Sequence, residues 1–149
     1  MKVTKVAILG GGNGGISAAV DLKEKGFSTA LYELPAYFKN LSVIKEKGGA
    51  TIQDNGEDRF VHIDLITDDI REAIQDAQIV MVVVPGFAIE AFAEVLAPVV
   101  REDQMIFFNG AAAMACVRFK NKAEAMGIQK NFKLCEVNSL TLSLIHISE

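Results

Sequence analysis

The chain is poor in the residues that carry metal and disulfide chemistry. Its 149 residues include no tryptophan, three prolines, two histidines and two cysteines. Cys116 and Cys135 stand alone, with no C-x-x-C pair and no histidine set beside them. They read as buried, reduced thiols of a cytoplasmic protein, and no metal site is expected. Basic charge is also scarce: 15 Lys and Arg against 19 Asp and Glu give a net charge of −4 and a pI near 5.2. A nucleic-acid partner leaves a basic footprint, and this chain has none. No apolar run approaches the roughly 18 residues of a membrane span. The opening MKVTKVAILGGG sets lysines before an apolar stretch. That stretch is too short for a signal peptide, and a glycine loop follows it where a cleavage site would stand.

What is present describes a soluble globular chain: 50% hydrophobic and 23% charged residues, with no repeats, low-complexity tracts or linker. The length fits one domain. Lys5–Leu9 reads as a strand, and Ile16–Lys25 as a helix closed by Gly26. Phe27–Tyr32 is a second strand ending at Glu33, and Leu34–Lys47 is expected to be helical up to Gly48-Gly49. Ala50–Gln53 and Arg59–Ile63 flank Asp54-Asn55-Gly56, a hairpin signal. Thr67 or Asp68 is placed to cap a short helix running to about Ala77. IVMVVV, residues 79–84, suits a strand buried on both faces of a parallel sheet. Phe87–Leu96 reads as an amphipathic helix, Met105–Phe108 as a strand ending at Asn109-Gly110, Ala111–Met126 as a helix and Phe132–Val137 as a last strand. Strand and helix alternate, so the expected fold is α/β: a Rossmann-type, doubly wound parallel sheet with a small β-hairpin insertion.

Gly10 to Gly15 reads GGGNGG. Such a concentration of glycine costs conformational entropy and asks for a compensating role. Gly10, Gly12 and Gly15 match G-x-G-x-x-G between a predicted strand and a predicted helix, the context that turns a common pattern into a dinucleotide fingerprint. Gly10 then makes the tight turn, Gly12 lets backbone approach a pyrophosphate, and Gly15 lets helix and strand pack closely. Gly11, Asn13 and Gly14 complete the loop. The helix start near Asn13 turns free N–H groups and the positive dipole end toward the phosphates. Glu33 follows at the end of the second strand, where an acid hydrogen-bonds the adenosine ribose. A carboxylate there repels a 2′-phosphate: two unit charges 4 Å apart cost ~4 kcal/mol at an effective dielectric of 20. NAD is therefore favoured over NADP. Val84 and Pro85, and Asn109 after the next strand, end strands on the side where open α/β sheets bind ligands. His62 carries no catalytic pattern, Asp68-Asp69 reads as a helix start, and Met81, Met105, Met114 and Met126 read as core.

VAILGGGNGGISAAVDLKEKG, IVMVVVPGFAIEAFAEVLAP and the strand ending CEVNSL together resemble the N-terminal domain of the octopine/nopaline (opine) dehydrogenases. The resemblance covers most of residues 3–141, with echoes of ketopantoate reductase and glycerol-3-phosphate dehydrogenase domains. It implies an enzyme that uses NAD(P)H to reduce the imine formed from a 2-keto acid and an amino acid, its small-molecule substrates. Glu136 and Ser139 match the family's E-x-x-[ST] stretch entering the interdomain cleft, and Thr141 stands where the family often has proline. The family's catalytic His and Asp lie in a second, helical domain and have no counterpart in this chain. The resemblance thus implies a cofactor domain over 1–141, inactive alone. Residues 142–149, LSLIHISE, translate the string CTG TCT CTT ATA CAC ATC TCC GAG, which resembles a transposase adapter. They are expected to be a non-native tail, which leaves His146 without a chemical role. A reading from another class is a stand-alone NAD-sensing module that does no chemistry.

Overall fold

A computed structural model describes residues 2–54, 57–110 and 114–141. Six strands form one parallel sheet: β1 (Lys5–Leu9), β2 (Ser28–Tyr32), β5 (Leu65–Thr67), β6 (Ile79–Val82), β7 (Met105–Asn109) and β8 (Lys133–Val137). Their spatial order is β5-β2-β1-β6-β7-β8. Counted along the sheet this is 3-2-1-4-5-6, the Rossmann order, and it reverses between β1 and β6. The antiparallel pair β3 (Gly49–Asp54) and β4 (Glu57–His62) is the inserted hairpin. Its Asn55-Gly56 turn lies outside the described residues, as do 111–113 and the tail 142–149.

Both faces of the sheet are covered, which is why β1 and β6 carry apolar residues in succession. On one face Ile8 and Leu31 pack beneath Ala18 and Ala19 of α1 (Asn13–Glu24). On the other, Val80, Val82 and Phe108 meet α3 (Ile70–Ile74), α4 (Ile89–Leu96) and α5 (Ala115–Ala125) through Ile74, Phe92, Leu96 and Phe119. The hairpin lays Ala50 and Val61 on Val20 of α1.

Four elements differ from expectation. The helix expected over 34–47 is a turn at Leu34–Tyr37, a single 3-10 turn at Phe38–Leu41 and a short α2 (Ser42–Lys47). Packing decides this: Leu41 is fully buried beneath the glycine loop, against Gly11. The helix expected from Ala111 begins at Ala115, because Met114 has left-handed backbone (φ 73°). The helix expected to reach Ala77 stops at Ile74, where the buried Gln104 amide donates to the carbonyls of Ile74 and Ala77. The edge strand β5 was not expected; three residues are too few to show a period. Two side-chain expectations also fail: Cys135 is exposed on β8, and Met114 and Met126 are exposed rather than core.

Candidate functional site

The site lies at the carboxyl ends of the strands, beside the point where the strand order reverses. Gly10 leaves β1 with φ +116° and donates its N–H to the Tyr32 carbonyl (2.9 Å). A Cβ there would lie 2.3 Å from the Val83 carbonyl oxygen. A Cβ on Gly15 would lie 1.8 Å from the Gly10 carbonyl oxygen, so that glycine brings α1 against the loop. Gly12 differs: its Cβ position has nothing within 4 Å, and the residue is exposed at the N-cap of α1. Space is left open where a pyrophosphate would meet the free N–H groups of a helix start.

Glu33 sits at the end of β2 with both carboxylate oxygens engaged. Gly11 N–H donates to Oε2 and Leu34 N–H to Oε1, each at 2.7 Å. A carboxylate has about four acceptor positions, so one on each oxygen stays free for a ribose hydroxyl. Glu33 lines a cavity of about 440 Å³ that runs past Gly10–Gly12 between Leu34 and Tyr37 on one side and Phe87 and Ala91 on the other. Tyr37 and Phe87 are 58% and 84% exposed, large apolar surfaces on the rim of a slot. The surroundings of the β2 end are acidic. Burial, with the charges of Glu33, Asp68 and Asp69, pushes the Tyr32 hydroxyl up to about 12. Asp69 also caps α3, accepting from Arg71 N–H at 2.8 Å.

Across Gly12 a second cavity, of about 310 Å³, is lined by Asn13, Val84, Pro85, Asn109, Gly110 and Leu140. The two adjoining hollows share Gly12 and between them are lined by each cofactor residue expected from the sequence except Gly15, which packs α1 against the loop. Asn109 has a further attachment: its buried carboxamide is bonded to Thr141. Glu136 caps α5, accepting N–H groups from Met114 (3.2 Å) and Cys116 (2.7 Å). The Cys116 N–H bond is the largest of the effects that hold the Glu136 carboxyl below its usual range. Burial, with a hydrogen bond to Glu136 and its charge, pushes the Cys116 thiol up to about 12, the opposite of a poised nucleophile. Among the described residues no group of three or more His, Cys, Asp or Glu is placed to hold a metal, and no helix is long and apolar enough to cross a membrane. Sequence reasoning missed Tyr37, Asn40, Phe87, Ala88 and Ala91; single apolar or amide residues in turns carry no motif.

The Rossmann order, the glycine cradle and the acid at the end of β2 define a nicotinamide dinucleotide-binding domain. The chain belongs to the family described as the NAD-dependent glycerol-3-phosphate dehydrogenase N-terminus, which it matches over residues 5–111. It is similar to the opine dehydrogenase of Arthrobacter sp. (strain 1C), 32% identical over 114 residues, or 76% of this chain and 31% of that protein. Its fold is similar to that of part of yersinopine dehydrogenase, solved with NADP+ bound: TM-score 0.71 and 18% identity over 93% of this chain and 35% of the other. Octopine dehydrogenase, solved with NADH and L-arginine, matches with TM-score 0.62 and 25% identity over 80% of this chain and 32% of the other. The chain therefore spans about a third of the length of these relatives.

Proposed function

We propose that residues 1–141 are the cofactor domain of an oxidoreductase of opine dehydrogenase type, and that the domain prefers NAD(H) to NADP(H). The observation that carries the cofactor reading is Gly12: the one loop glycine at an exposed helix start whose Cβ direction is empty, between two adjoining hollows. The α1 N-terminus would hold the pyrophosphate, the free acceptor positions of Glu33 the adenosine ribose, and the slot beside Tyr37 and Phe87 the adenine. When bound, the reduced nicotinamide supplies hydride to the carbon of an imine formed from a 2-keto acid and an amino acid. The sequence identity to the Arthrobacter enzyme supports this reaction over reduction of a glycerol-phosphate precursor. Glu136 is spent as a helix cap with its carboxyl held below its usual range, and the Cys116 thiol, pushed up to about 12 and bonded to Glu136, is too weak an acid to protonate the developing amine. We place the proton donor outside residues 1–141, in a catalytic domain of the whole protein.

The acids around the β2 end support the NAD preference, since a 2′-phosphate would face Glu33 with Asp68 and Asp69 nearby. Calorimetric titration of the chain with NADH and NADPH tests this; NADH is expected to bind more tightly, and equal affinities would refute it. Supplied with pyruvate and a panel of amino acids, the purified chain is expected to bind NADH without oxidising it. Steady NADH consumption by the monomeric chain would put the proton donor inside it.

A further inference from the structure

We infer that Asn109 and Leu140 act together as a latch and a wall: Asn109 pins residues 138–141 over the crevice so that Leu140 closes one side of the cavity that receives the nicotinamide end of the dinucleotide. This rests on the dinucleotide reading above. It gives Asn109 a role different from the direct cofactor contact expected from the sequence.

Asn109 ends β7 and is 1% exposed. Its Oδ1 accepts the Thr141 N–H (3.1 Å), and its Nδ2 donates to Thr141 Oγ1 (3.1 Å) and to Met81 Sδ (3.6 Å). The carboxamide thus spends a donor and an acceptor on one residue of the strap. A buried amide committed in this way is costly to leave unpaired, which fixes the strap's position. Beside it, Leu140 joins the apolar cluster that contains Val83. Two glycines make room for Leu140. A Cβ on Gly110, where φ is +78°, would lie 2.6 Å from Leu140 Cγ and 3.1 Å from its backbone nitrogen; a Cβ on Gly14 would lie 3.5 Å from Leu140 Cδ1.

The position of this wall gives it a function. A dinucleotide lying across the switch point, with its pyrophosphate at Gly12 and one ribose at Glu33, directs its other ring away from β2. That direction leads into the cavity bounded by Pro85, Asn109 and Leu140. Leu140 would supply the apolar surface on which the nicotinamide lies, leaving its other face for substrate. Leu140 is a positioning residue, and Asn109 acts through it.

The test compares NADH with ADP-ribose, which shares the adenosine, pyrophosphate and second ribose but lacks the nicotinamide. Leu140→Ala removes three apolar carbons and is expected to weaken NADH binding at least roughly tenfold, the lower end for losing even one methylene contact in an apolar pocket. ADP-ribose affinity should stay within about twofold of wild type, because the helix start and Glu33 are untouched. Thr141→Gly, which removes the hydroxyl that Asn109 Nδ2 holds, should show the same split more weakly, and it carries the test if Leu140→Ala melts early. Equal losses for both ligands would make Leu140 a mere prop of the loop and overturn the inference. So would unchanged NADH affinity in both variants. Wild-type protein that binds neither ligand would overturn the dinucleotide reading as well, which separates the two failures.

Discussion

Two glycine-rich stretches of this chain look alike in sequence and are opposite in use. Gly48-Gly49 opens the hairpin: Gly48 closes α2 with φ +71°, and a Cβ on Gly49 would lie 2.1 Å from the Val61 carbonyl oxygen. Gly10–Gly15 contains the same kind of position at Gly10 and Gly15, where the Cβ would strike the chain's own backbone. Gly12 alone among these three faces open space. A glycine whose missing Cβ is answered by the protein's own atoms serves packing. Gly26 and Gly127 also face open space, but their φ of +89° and +75° explains them; Gly12, with ordinary φ and an empty Cβ direction at a helix start, is left with room for something from outside. The difference separates fold from function inside a single six-residue loop.

The largest effect should come from Gly15→Ala. The added methyl would sit within bonding distance of the Gly10 carbonyl oxygen, so α1 must move off the sheet, at a cost above about 3 kcal/mol, the upper end of overpacking. Chemical denaturation checks this; a stable Gly15→Ala protein would break the comparison at its packing end. Next comes Gly12→Val, with its extended backbone (φ −78°, ψ 177°) open to any side chain. Its melting temperature should hold within about 2 °C. NADH affinity should fall at least roughly a hundredfold, or about 2.7 kcal/mol, since the isopropyl group would fill the space proposed for the pyrophosphate. Wild-type affinity in this variant would show that the open space holds no ligand. The smallest effect sharpens the contrast: Gly49→Ala should cost about 1–3 kcal/mol of stability and leave NADH binding unchanged by calorimetry.

The sheet and the cradle were legible because their physics is local. Val6–Leu9 and Ile79–Val82 are apolar in succession, as strands covered on both faces must be. The glycines carry their own explanation once placed between a strand and a helix. What escaped the sequence depends on partners distant in the chain. Leu41 converts a predicted helix into a turn because it fills the space under Gly11, thirty residues earlier. Gln104 ends α3 by donating to carbonyls at Ile74 and Ala77. The left-handed Met114 delays α5 at the place where Glu136, on β8, receives its first N–H groups. At the site, Glu33 and Asn109 were singled out by position, but their bonds to Gly11 and Thr141 carried no signal in the sequence. Tyr37 and Phe87 gave no signal, because a single exposed aromatic reads the same on any surface.

Glu33, proposed above to meet the ribose, holds the Gly11 and Leu34 amides. Anyone redesigning this domain to accept the phosphorylated cofactor would begin by replacing that acid with a basic side chain. Doing so here would strip two backbone donors of their acceptor while installing the new specificity. The glycine loop itself would loosen in the same stroke. A working exchange therefore needs a second substitution that takes over the tether, so changing the cofactor in this domain is a matter of two residues rather than one.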